Sequence, residues 1–167
     1  GEVLVGNYKS FRRAGHLTYA PLVGGDRAQR EPWRNALVRL DAAGLSSTSD
    51  RLFQEYPVSQ IRAAAGLTSH APLTSSVGRL FDAISACLGI VVGEQSHEGE
   101  AAMRLEALAS RSDDPGFYEL SCLKGVLDPA QMFEGLVADL AKGESEAVIA
   151  RRCHGTIAKA FSDLARR

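Results

Sequence analysis

The residues most able to do chemistry lie together in the stretch 74–89. Read at about 3.6 residues per turn, one side of this predicted helix is small and polar, and it consists of Ser75, Gly78, Asp82, Ser85 and Gly89. A glycine inside a helix costs about 1 kcal/mol relative to alanine, so a compensating interaction is expected at Gly78. A ligand lying along this side would supply one, because Gly78 would admit it and Asp82 could accept hydrogen bonds from its hydroxyl groups.

The same spacing also fits a purely structural interpretation. Another backbone segment could pack closely against Gly78 and Ser85, which would leave Asp82 as an ordinary surface or capping carboxylate. The opposite side of the helix is expected to face the core, because it carries the apolar residues Val77, Leu80, Phe81, Ile84 and Leu88. Spacing alone leaves the binding and the structural interpretations open.

A second polar group precedes the predicted helix 101–110. His97, Glu98 and Glu100 place three ionisable side chains beside Gly99. A zinc site requires a spaced pair of ligands with further ligands nearby, and no such set lies close in the sequence, so no metal ligand is assigned. Ser96 with Gly99 and Glu100 is instead typical of a helix start with an acidic first turn.

Two further motifs are predicted to be structural. The pair Gly24-Gly25 lacks the spacing of a phosphate-binding loop, and Glu31 at the start of the next predicted helix would repel a phosphate. A turn followed by a helix is therefore expected there. His70 precedes Pro72 and has no second ligand-like residue at a metal-binding interval, so it is interpreted as a loop histidine.

The composition is that of one soluble domain. The chain has 167 residues, of which 45% are hydrophobic and 23% are charged. A net charge of -1 gives no basic footprint for nucleic acid or an anionic membrane, and no apolar run approaches the ~18 residues of a membrane span. The cysteines Cys87, Cys122 and Cys153 form no closely spaced pair, so free thiols and a reducing, cytoplasmic compartment are expected. Because the chain opens in a strand-like run and not with methionine, it is interpreted as a piece of a longer protein.

The elements that must position these residues follow from periodicity and capping signals. An α+β fold is predicted that is mostly helical, with an N-terminal β-hairpin packed on helices. The hairpin is formed by Val3–Tyr8 and Phe11–Leu22, and 117–123 pairs with 125–127 later in the chain. Helices are predicted at 31–40, 50–56 (with Asp50 as its cap), 57–65, 74–89, 101–110, 129–142 and from about 145 to the end.

Five sequence blocks together carry a family resemblance. They are Pro21-Leu-Val-Gly-Gly-Asp26, Arg30-Glu-Pro-Trp-Arg-Asn-Ala-Leu37, Ala71-Pro-Leu-Thr-Ser-Ser-Val-Gly-Arg-Leu-Phe-Asp-Ala83, His97-Glu-Gly-Glu-Ala-Ala-Met103 with Leu105-Glu106, and Ile149-Ala-Arg-Arg-Cys-His-Gly-Thr-Ile157. The chain resembles the C-terminal catalytic region of the HypF family, the carbamoyltransferases of nickel–iron hydrogenase maturation. The blocks occur in the family's order and cover nearly the whole chain.

The resemblance implies a fold and a division of the chain. The family has an actin/Hsp70-like ATPase fold and is related to the enzymes that make threonylcarbamoyl-adenosine in tRNA. Residues 1–167 would form a single fragment of the carbamoyl-transfer domain, and a partial lobe of that fold. Within it, 1–23 would be the hairpin, 31–110 a helical part that includes the nucleotide-facing helix 74–89, and 117–167 a short β element with two helices.

The resemblance also implies an activity and its partners. The family binds ATP or carbamoyl-adenylate and transfers the carbamoyl group to the C-terminal cysteine of HypE, which leads to the cyanide ligands of the hydrogenase. Gly78 and Asp82 match positions that approach the nucleoside in the tRNA-modifying relatives, and Ser75, Glu98, Gly99 and Glu100 are secondary candidates. The family's divalent metal would have its ligands outside this chain, so the fragment alone is expected to be inactive.

Several features leave other functions open. The family usually has an aromatic residue at the position of Cys153 and asparagine at Gly155, so a polar role of the last helix is in doubt. It usually has tyrosine at His97, and this difference could alter the loop beside Glu98. One alternative is a small-molecule O-carbamoyltransferase of the same fold. Another alternative is a helical protein-interaction module. Separately, strand edges that are left open by the missing regions would favour a dimer.

Overall fold

The computed structural model describes residues 1–67 and 71–166, so His70 lies outside the described residues. The fold is α+β and about half helical. Its strands are β1 (Glu2–Gly6), β2 (Phe11–Leu17), β3 (Ala20–Pro21), β4 (Leu73–Thr74), β5 (Ser121–Leu123) and β6 (Val126–Asp128). Its helices are α1 (Asp26–Arg30), α2 (Pro32–Ala42), α3 (Ser46–Leu52), α4 (Val58–Ala65), α5 (Val77–Cys87), α6 (Glu100–Ala109), α7 (Ala130–Ala141) and α8 (Glu146–Ala165).

The main sheet joins the N-terminal hairpin to a second hairpin late in the chain. Its four strands lie in the order β1-β2-β6-β5. The pairs β1–β2 and β5–β6 are antiparallel, whereas β2 runs parallel to β6 with Leu17 opposite Leu127. The β5–β6 turn uses Lys124 and Gly125, both with positive φ (51° and 82°), as a tight hairpin turn requires. A separate antiparallel pair, β3–β4, connects the segment that follows β2 to the residues just before α5.

Only half of the N-terminal hairpin is packed on helices. Near its base, a Cβ on Gly15 would lie 2.7 Å from a methyl group of Leu164 in α8, so glycine allows close contact between strand and helix. Farther along the hairpin the large apolar side chains are exposed, namely Leu4, Val5, Tyr8 and Phe11. The distal half of the hairpin therefore projects from the body of the molecule.

The core is built around α2 and α5. Nearly all of α2 is buried, including Trp33, Leu37 and Leu40, and Trp33 stacks on Tyr56 with ring centroids 4.7 Å apart. From α5, the predicted apolar face contributes Leu80, Ile84 and Leu88 to the core. A helix buried on all sides must also satisfy its polar residues, and Asn35 does so by donating to the carbonyl of Ala28 at 2.6 Å.

The longest helix, α8, is held to the chain segment before β5 by one arginine. Arg152 contacts both oxygens of Asp114, at 2.9 and 3.1 Å, and Asp139 at 2.7 Å. Asp139 also accepts a hydrogen bond from the hydroxyl of Tyr118 at 2.9 Å. This network fixes the segment 113–120 between α7 and α8. No helix in the described part of the chain combines the length and apolar character of a membrane span.

The structure departs from the predicted elements at several places. The helix predicted over 74–89 begins only at Val77, because Leu73–Thr74 pairs with β3 as a strand. The prediction that Asp50 caps a helix 50–56 is wrong, because α3 begins at Ser46, where the carbonyl of Leu45 accepts the N–H of Ser49. Asp50 lies inside α3 and pairs with Arg62 at 3.0 Å. The segment after Gly25, where a turn was predicted, already forms the helix α1. The second strand of the hairpin, predicted to reach Leu22, ends at Leu17.

Candidate functional site

Helix α5 carries the predicted binding residues Gly78 and Asp82, whereas Ser75 lies just before its N-cap. Ser76 is its N-cap, and the Ser76 hydroxyl oxygen accepts the backbone N–H of Arg79 at 3.4 Å. Gly78 follows in the first turn and is exposed. A Cβ built on Gly78 would meet only Ser76 Oγ, at 3.4 Å, among the described residues. No backbone segment of the described chain therefore requires a glycine here, and the surface beside Gly78 is open.

Asp82 lies one turn later and is buried, with an exposed fraction of 1%. Arg79 Nη1 lies 3.0 Å from Asp82 Oδ2, which is an ion pair by distance. Nη1 donates to the carbonyl of Gln29 at 2.9 Å, and neither oxygen of Asp82 accepts a hydrogen bond among the described residues. The hydroxyl of Ser85, at the next turn of the same side, is buried and unpaired in the same way.

Burial without hydrogen bonds changes the acidity of Asp82. Desolvation raises the pKa of this carboxyl to about 6, and the nearby Arg79 opposes the rise only in part. Buried, unsatisfied polar atoms are rare in folded proteins, and each costs about 1–3 kcal/mol. Asp82 and Ser85 together therefore mark a place where partners are missing from the described chain.

The loop before α6 places its acidic residues in different surroundings. Gly99 has a positive φ of 82° and begins α6, which fits its predicted place at a helix start. Glu100 is buried and accepts hydrogen bonds from the backbone N–H and the hydroxyl of Ser96, at 2.5 and 2.8 Å, and these bonds lower its pKa. It also pairs with Arg104 at 2.6 Å. Glu100 is thus occupied in holding the loop.

Glu98, in contrast, faces an open pocket. The pocket has a volume of about 390 Å³ and lies between α1 and the loop 94–98, with Asp26, Gln29, Arg30 and Gln95 in its wall. Gln95 donates to the carbonyl of Gln29 at 2.5 Å, and this is the same carbonyl that Arg79 reaches. The carbonyl of Gln29 therefore accepts hydrogen bonds both from Gln95 in the pocket wall and from Arg79 of α5.

The predicted residues thus separate into two groups. Asp82, through Arg79, and Glu98, through the pocket wall, lie near the contacts of Gln29, whereas Glu100 holds its own loop and Gly78 lies on open surface. Ser75 contributes its backbone carbonyl, which accepts a hydrogen bond from the N-terminal amine of Gly1. No group of three histidine, cysteine, aspartate or glutamate side chains that could hold a metal occurs within 1–67 and 71–166.

Sequence reasoning missed two residues that shape this region. Arg79 stands three positions before Asp82, a spacing at which opposite charges on a helix meet, so the sequence did contain a signal for it. Gln95 gave no signal, because its contact with α1 spans 66 positions of the chain.

Comparison with known proteins agrees with this architecture. The family model described as "Carbamoyltransferase, Kae1-like Domain, second subdomain" matches residues 1–167. Carbamoyltransferase HypF of Rhodobacter capsulatus is 54% identical over 167 residues, and that of Rhizobium leguminosarum bv. viciae is 38% identical over 172 residues. In each case the alignment covers 100% of this chain and 22% of the relative, so the chain spans about a fifth of their length.

Solved structures give the same relationship. The structure described as full-length HypF in the phosphate- and nucleotide-bound form matches with a TM-score of 0.89 and 31% identity, over 99% of this chain and 22% of that one. HypF of T. kodakarensis matches with a TM-score of 0.83 and 29% identity, over 99% of this chain and 23% of that one. The similarity in sequence and in fold extends from one end of the chain to the other, and the chain therefore belongs to the HypF carbamoyltransferase family.

Proposed function

We propose that this chain forms one wall of the nucleotide site in a HypF-type carbamoyltransferase. In the complete enzyme, ATP or carbamoyl-adenylate would bind in a domain with the actin/Hsp70-like fold, and the carbamoyl group would pass to the C-terminal cysteine of HypE. That product leads to the cyanide ligands of nickel–iron hydrogenase, in the cytoplasm. Membership of the family supports the proposal, as does the likeness to a HypF structure described as phosphate- and nucleotide-bound.

The buried carboxylate of Asp82 carries the proposal, because it lies beside Arg79 but accepts no hydrogen bond among the described residues. Neither of its oxygens accepts a hydrogen bond within the described chain, although its surroundings exclude water. A ribose offers two adjacent hydroxyl donors, which match the two oxygens of one carboxylate. Perturbed acidic groups of this kind are concentrated at functional sites.

The surroundings of Asp82 define what the chain would contribute. Gly78 leaves the first turn of α5 without a side chain, so a sugar could approach the helix closely. Because Asp82 is only 1% exposed, a ligand would reach it only after the side chains around it, including Arg79 at 3.0 Å, rearrange. Metal binding and the transfer step are assigned to the rest of the longer enzyme, and the 167-residue chain alone is expected to be inactive as a transferase.

Calorimetric titration tests the proposed wall directly. AMP and ATP are titrated into the 167-residue chain and into Asp82→Asn, with Asp113→Asn as the matched control because Asp113 is exposed. Loss of a charged acceptor should weaken binding by about tenfold or more in Asp82→Asn and leave the control unchanged. Equal nucleotide affinity in Asp82→Asn and the unmodified chain would contradict the assignment of Asp82.

The longer enzyme tests the activity. Carbamoyl transfer to HypE should fall in Asp82→Asn through weaker nucleotide binding, and it should be normal in Asp113→Asn. If Asp82→Asn alters the binding of HypE but leaves the nucleotide affinity and the transfer rate unchanged, the helix is a protein-interaction surface and the nucleotide assignment is wrong.

A further inference from the structure

Arg79 links the buried carboxylate of Asp82 to the surface of the molecule. Its Nη1 lies 3.0 Å from Asp82 Oδ2, and the exposed fraction of the side chain rises from 1% at Asp82 to 13% at Arg79. The same Nη1 donates to the backbone carbonyl of Gln29 in α1 at 2.9 Å. Because Gln29 is exposed, these contacts lead from the interior of the protein to the solvent.

The carbonyl that accepts from Arg79 belongs to a fixed element. The side chain of Asn35 donates to the carbonyl of Ala28 at 2.6 Å, which holds the middle of α1 on α2. Gln95 holds the end of α1, since its side chain donates to the carbonyl of Gln29 at 2.5 Å and its backbone N–H donates to that of Arg30 at 2.8 Å. These bonds keep the carbonyl of Gln29 in place whether or not α5 donates to it.

The movable part of this arrangement is the side chain of Arg79. It is long and has several rotatable bonds, and it is partly exposed. Because one nitrogen makes both contacts, a single rotation of the side chain breaks the hydrogen bond to Gln29 and the ion pair with Asp82 together. Neither α1 nor α5 has to move for this release.

The contact with Arg79 satisfies Asp82 only in part. The guanidinium supplies the opposite charge, but neither oxygen of Asp82 accepts a hydrogen bond among the described residues. Two adjacent hydroxyl groups of a ligand would donate the two hydrogen bonds that this contact lacks. The carboxylate therefore gains hydrogen bonds when a diol replaces the guanidinium, and Arg79 is a partner that a ligand can displace.

We infer that Arg79 is the gate of the proposed nucleotide site. In the closed state the guanidinium bridges Asp82 and the carbonyl of Gln29. In the open state the side chain is turned toward the solvent, and a ribose takes its place on Asp82. The inference rests on the proposed function, because Asp82 must be the acceptor of the ribose. It adds that Arg79 competes with the ligand, so that the affinity is reduced in proportion to the fraction of molecules that are open.

Removal of the gate should therefore tighten the binding of a neutral nucleoside. Adenosine has both ribose hydroxyls and no phosphate, so no phosphate contact is lost with the charge of Arg79. Arg79→Met should raise the affinity of the 167-residue chain for adenosine about fivefold or more, and Arg111→Met, at an exposed arginine, should leave it unchanged. Calorimetric titration at pH 8 measures both affinities with Asp82 ionised, since burial raises the pKa of this carboxyl to about 6.

The rates of binding separate a gate from a new contact. Rotation of a side chain is much faster than binding, so a gate lowers the apparent association rate and leaves the dissociation rate unchanged. Stopped-flow mixing with the fluorescent nucleoside 2-aminopurine riboside should therefore show the gain of Arg79→Met in the association rate. A gain confined to the dissociation rate would mean that the methionine contacts the nucleoside, and it would overturn the gate.

A second variant keeps the test decisive if Arg79→Met fails to fold. Arg79→Gln removes the charge but keeps a side-chain donor, and it should tighten adenosine binding about threefold or more. Unchanged binding in a folded Arg79 variant would overturn the gate, and so would weaker binding, which would make Arg79 a contact of the nucleoside.

Asp82→Asn distinguishes failure of the gate from failure of the proposed function. If Asp82→Asn loses adenosine but the Arg79 variants gain nothing, the nucleotide site stands and the gate is wrong. If adenosine binds Asp82→Asn as well as the unmodified chain, or binds none of the proteins, the nucleotide assignment is wrong and the gate is overturned with it.

Discussion

Burial of the Asp82 carboxylate couples the stability of the chain to pH. Its pKa is about 6 in the folded protein, against an ordinary value of 3.8. The folded state therefore holds this proton more tightly than the unfolded state does. Below the unfolded pKa the carboxyl is neutral in both states and costs nothing. As the pH rises through the folded pKa, the full penalty develops, and it amounts to about 3 kcal/mol.

Asp82→Asn should remove that dependence. The asparagine cannot ionise, so the free energy of unfolding of the variant, minus that of the unmodified chain, should rise by about 2–3 kcal/mol between about pH 4 and pH 7. Denaturant unfolding at several pH values measures this difference. Carboxylates with lowered pKa values, such as Asp41 and Asp139, make the folded state more stable as the pH rises. Both proteins contain these carboxylates, so their contributions cancel when the two free energies of unfolding are subtracted. Parallel curves for Asp82→Asn and the unmodified chain would contradict the assigned pKa.

Spacing predicted which residues share a side of α5 but not how deeply they lie. Gly78 and Asp82 are four positions apart and do share a side, yet Gly78 is exposed and Asp82 is buried. Asp82 lies beside Arg79, and Arg79 in turn donates to Gln29, which is 50 positions away from it along the chain.

At the scale of elements, two helical glycines should respond to alanine in opposite ways. A Cβ at Gly78 would lie in open space apart from Ser76 Oγ at 3.4 Å. A Cβ at Gly135 in α7 would lie 2.5 Å from Tyr118 Cδ1, and the ring cannot easily retreat because its hydroxyl is bonded to Asp139. Gly78→Ala should therefore stabilise the chain by about 0.5–1 kcal/mol, and Gly135→Ala should destabilise it by about 1–2 kcal/mol.

Urea unfolding of both variants measures the two effects under the same conditions. A Gly135→Ala variant that is more stable than the unmodified chain would show that Tyr118 is not fixed by its contacts. If Gly78→Ala is destabilising, a neighbouring segment must pack on that position in solution, and the structural interpretation of the glycine would be restored.

Local signals predicted the helices well where a cap is present. Ser145 is the N-cap of α8, and its hydroxyl accepts the N–H of Val148 at 3.3 Å, as its position before the apolar repeat indicated. The parallel pairing of β2 with β6 could not be predicted in this way, because Leu17 and Leu127 are far apart in sequence. Asp50 was misplaced because aspartate is a good cap by type, while the chain in fact turns into a helix at Leu45 without a side-chain cap.

At the scale of the molecule, the family resemblance of the whole chain predicted more about the fold than the pattern of any single helix or strand did. The five blocks indicated the HypF family, and the family model matches residues 1–167. Patterning alone reached an α+β class with a hairpin in front, because periodicity reports local structure and says little about how distant elements meet. The division of the chain at 23, 31, 110 and 117 stays a prediction.

The N-terminal hairpin should make the isolated chain self-associate. In the described sheet β1 is an edge strand, and Leu4, Tyr8 and Phe11 beyond the packed base are 52%, 111% and 74% exposed. A two-stranded ribbon with apolar side chains in water is marginally stable alone, and an open edge is a template for pairing with a second copy. The chain covers about a fifth of its relatives' length, so this surface is available when the chain is studied by itself.

The double variant Leu4→Thr with Phe11→Thr tests this expectation. Threonine keeps the preference for strands and removes the apolar surface, so the dissociation constant of the dimer should rise by at least about tenfold. Sedimentation velocity over a range of concentrations measures that change. Because both side chains are exposed, the free energy of unfolding of the monomer should change by less than about 0.5 kcal/mol. Met103→Thr, at an exposed residue of α6, is the control and should leave the association unchanged. A monomer at all concentrations before any substitution would show that the hairpin is not an association surface.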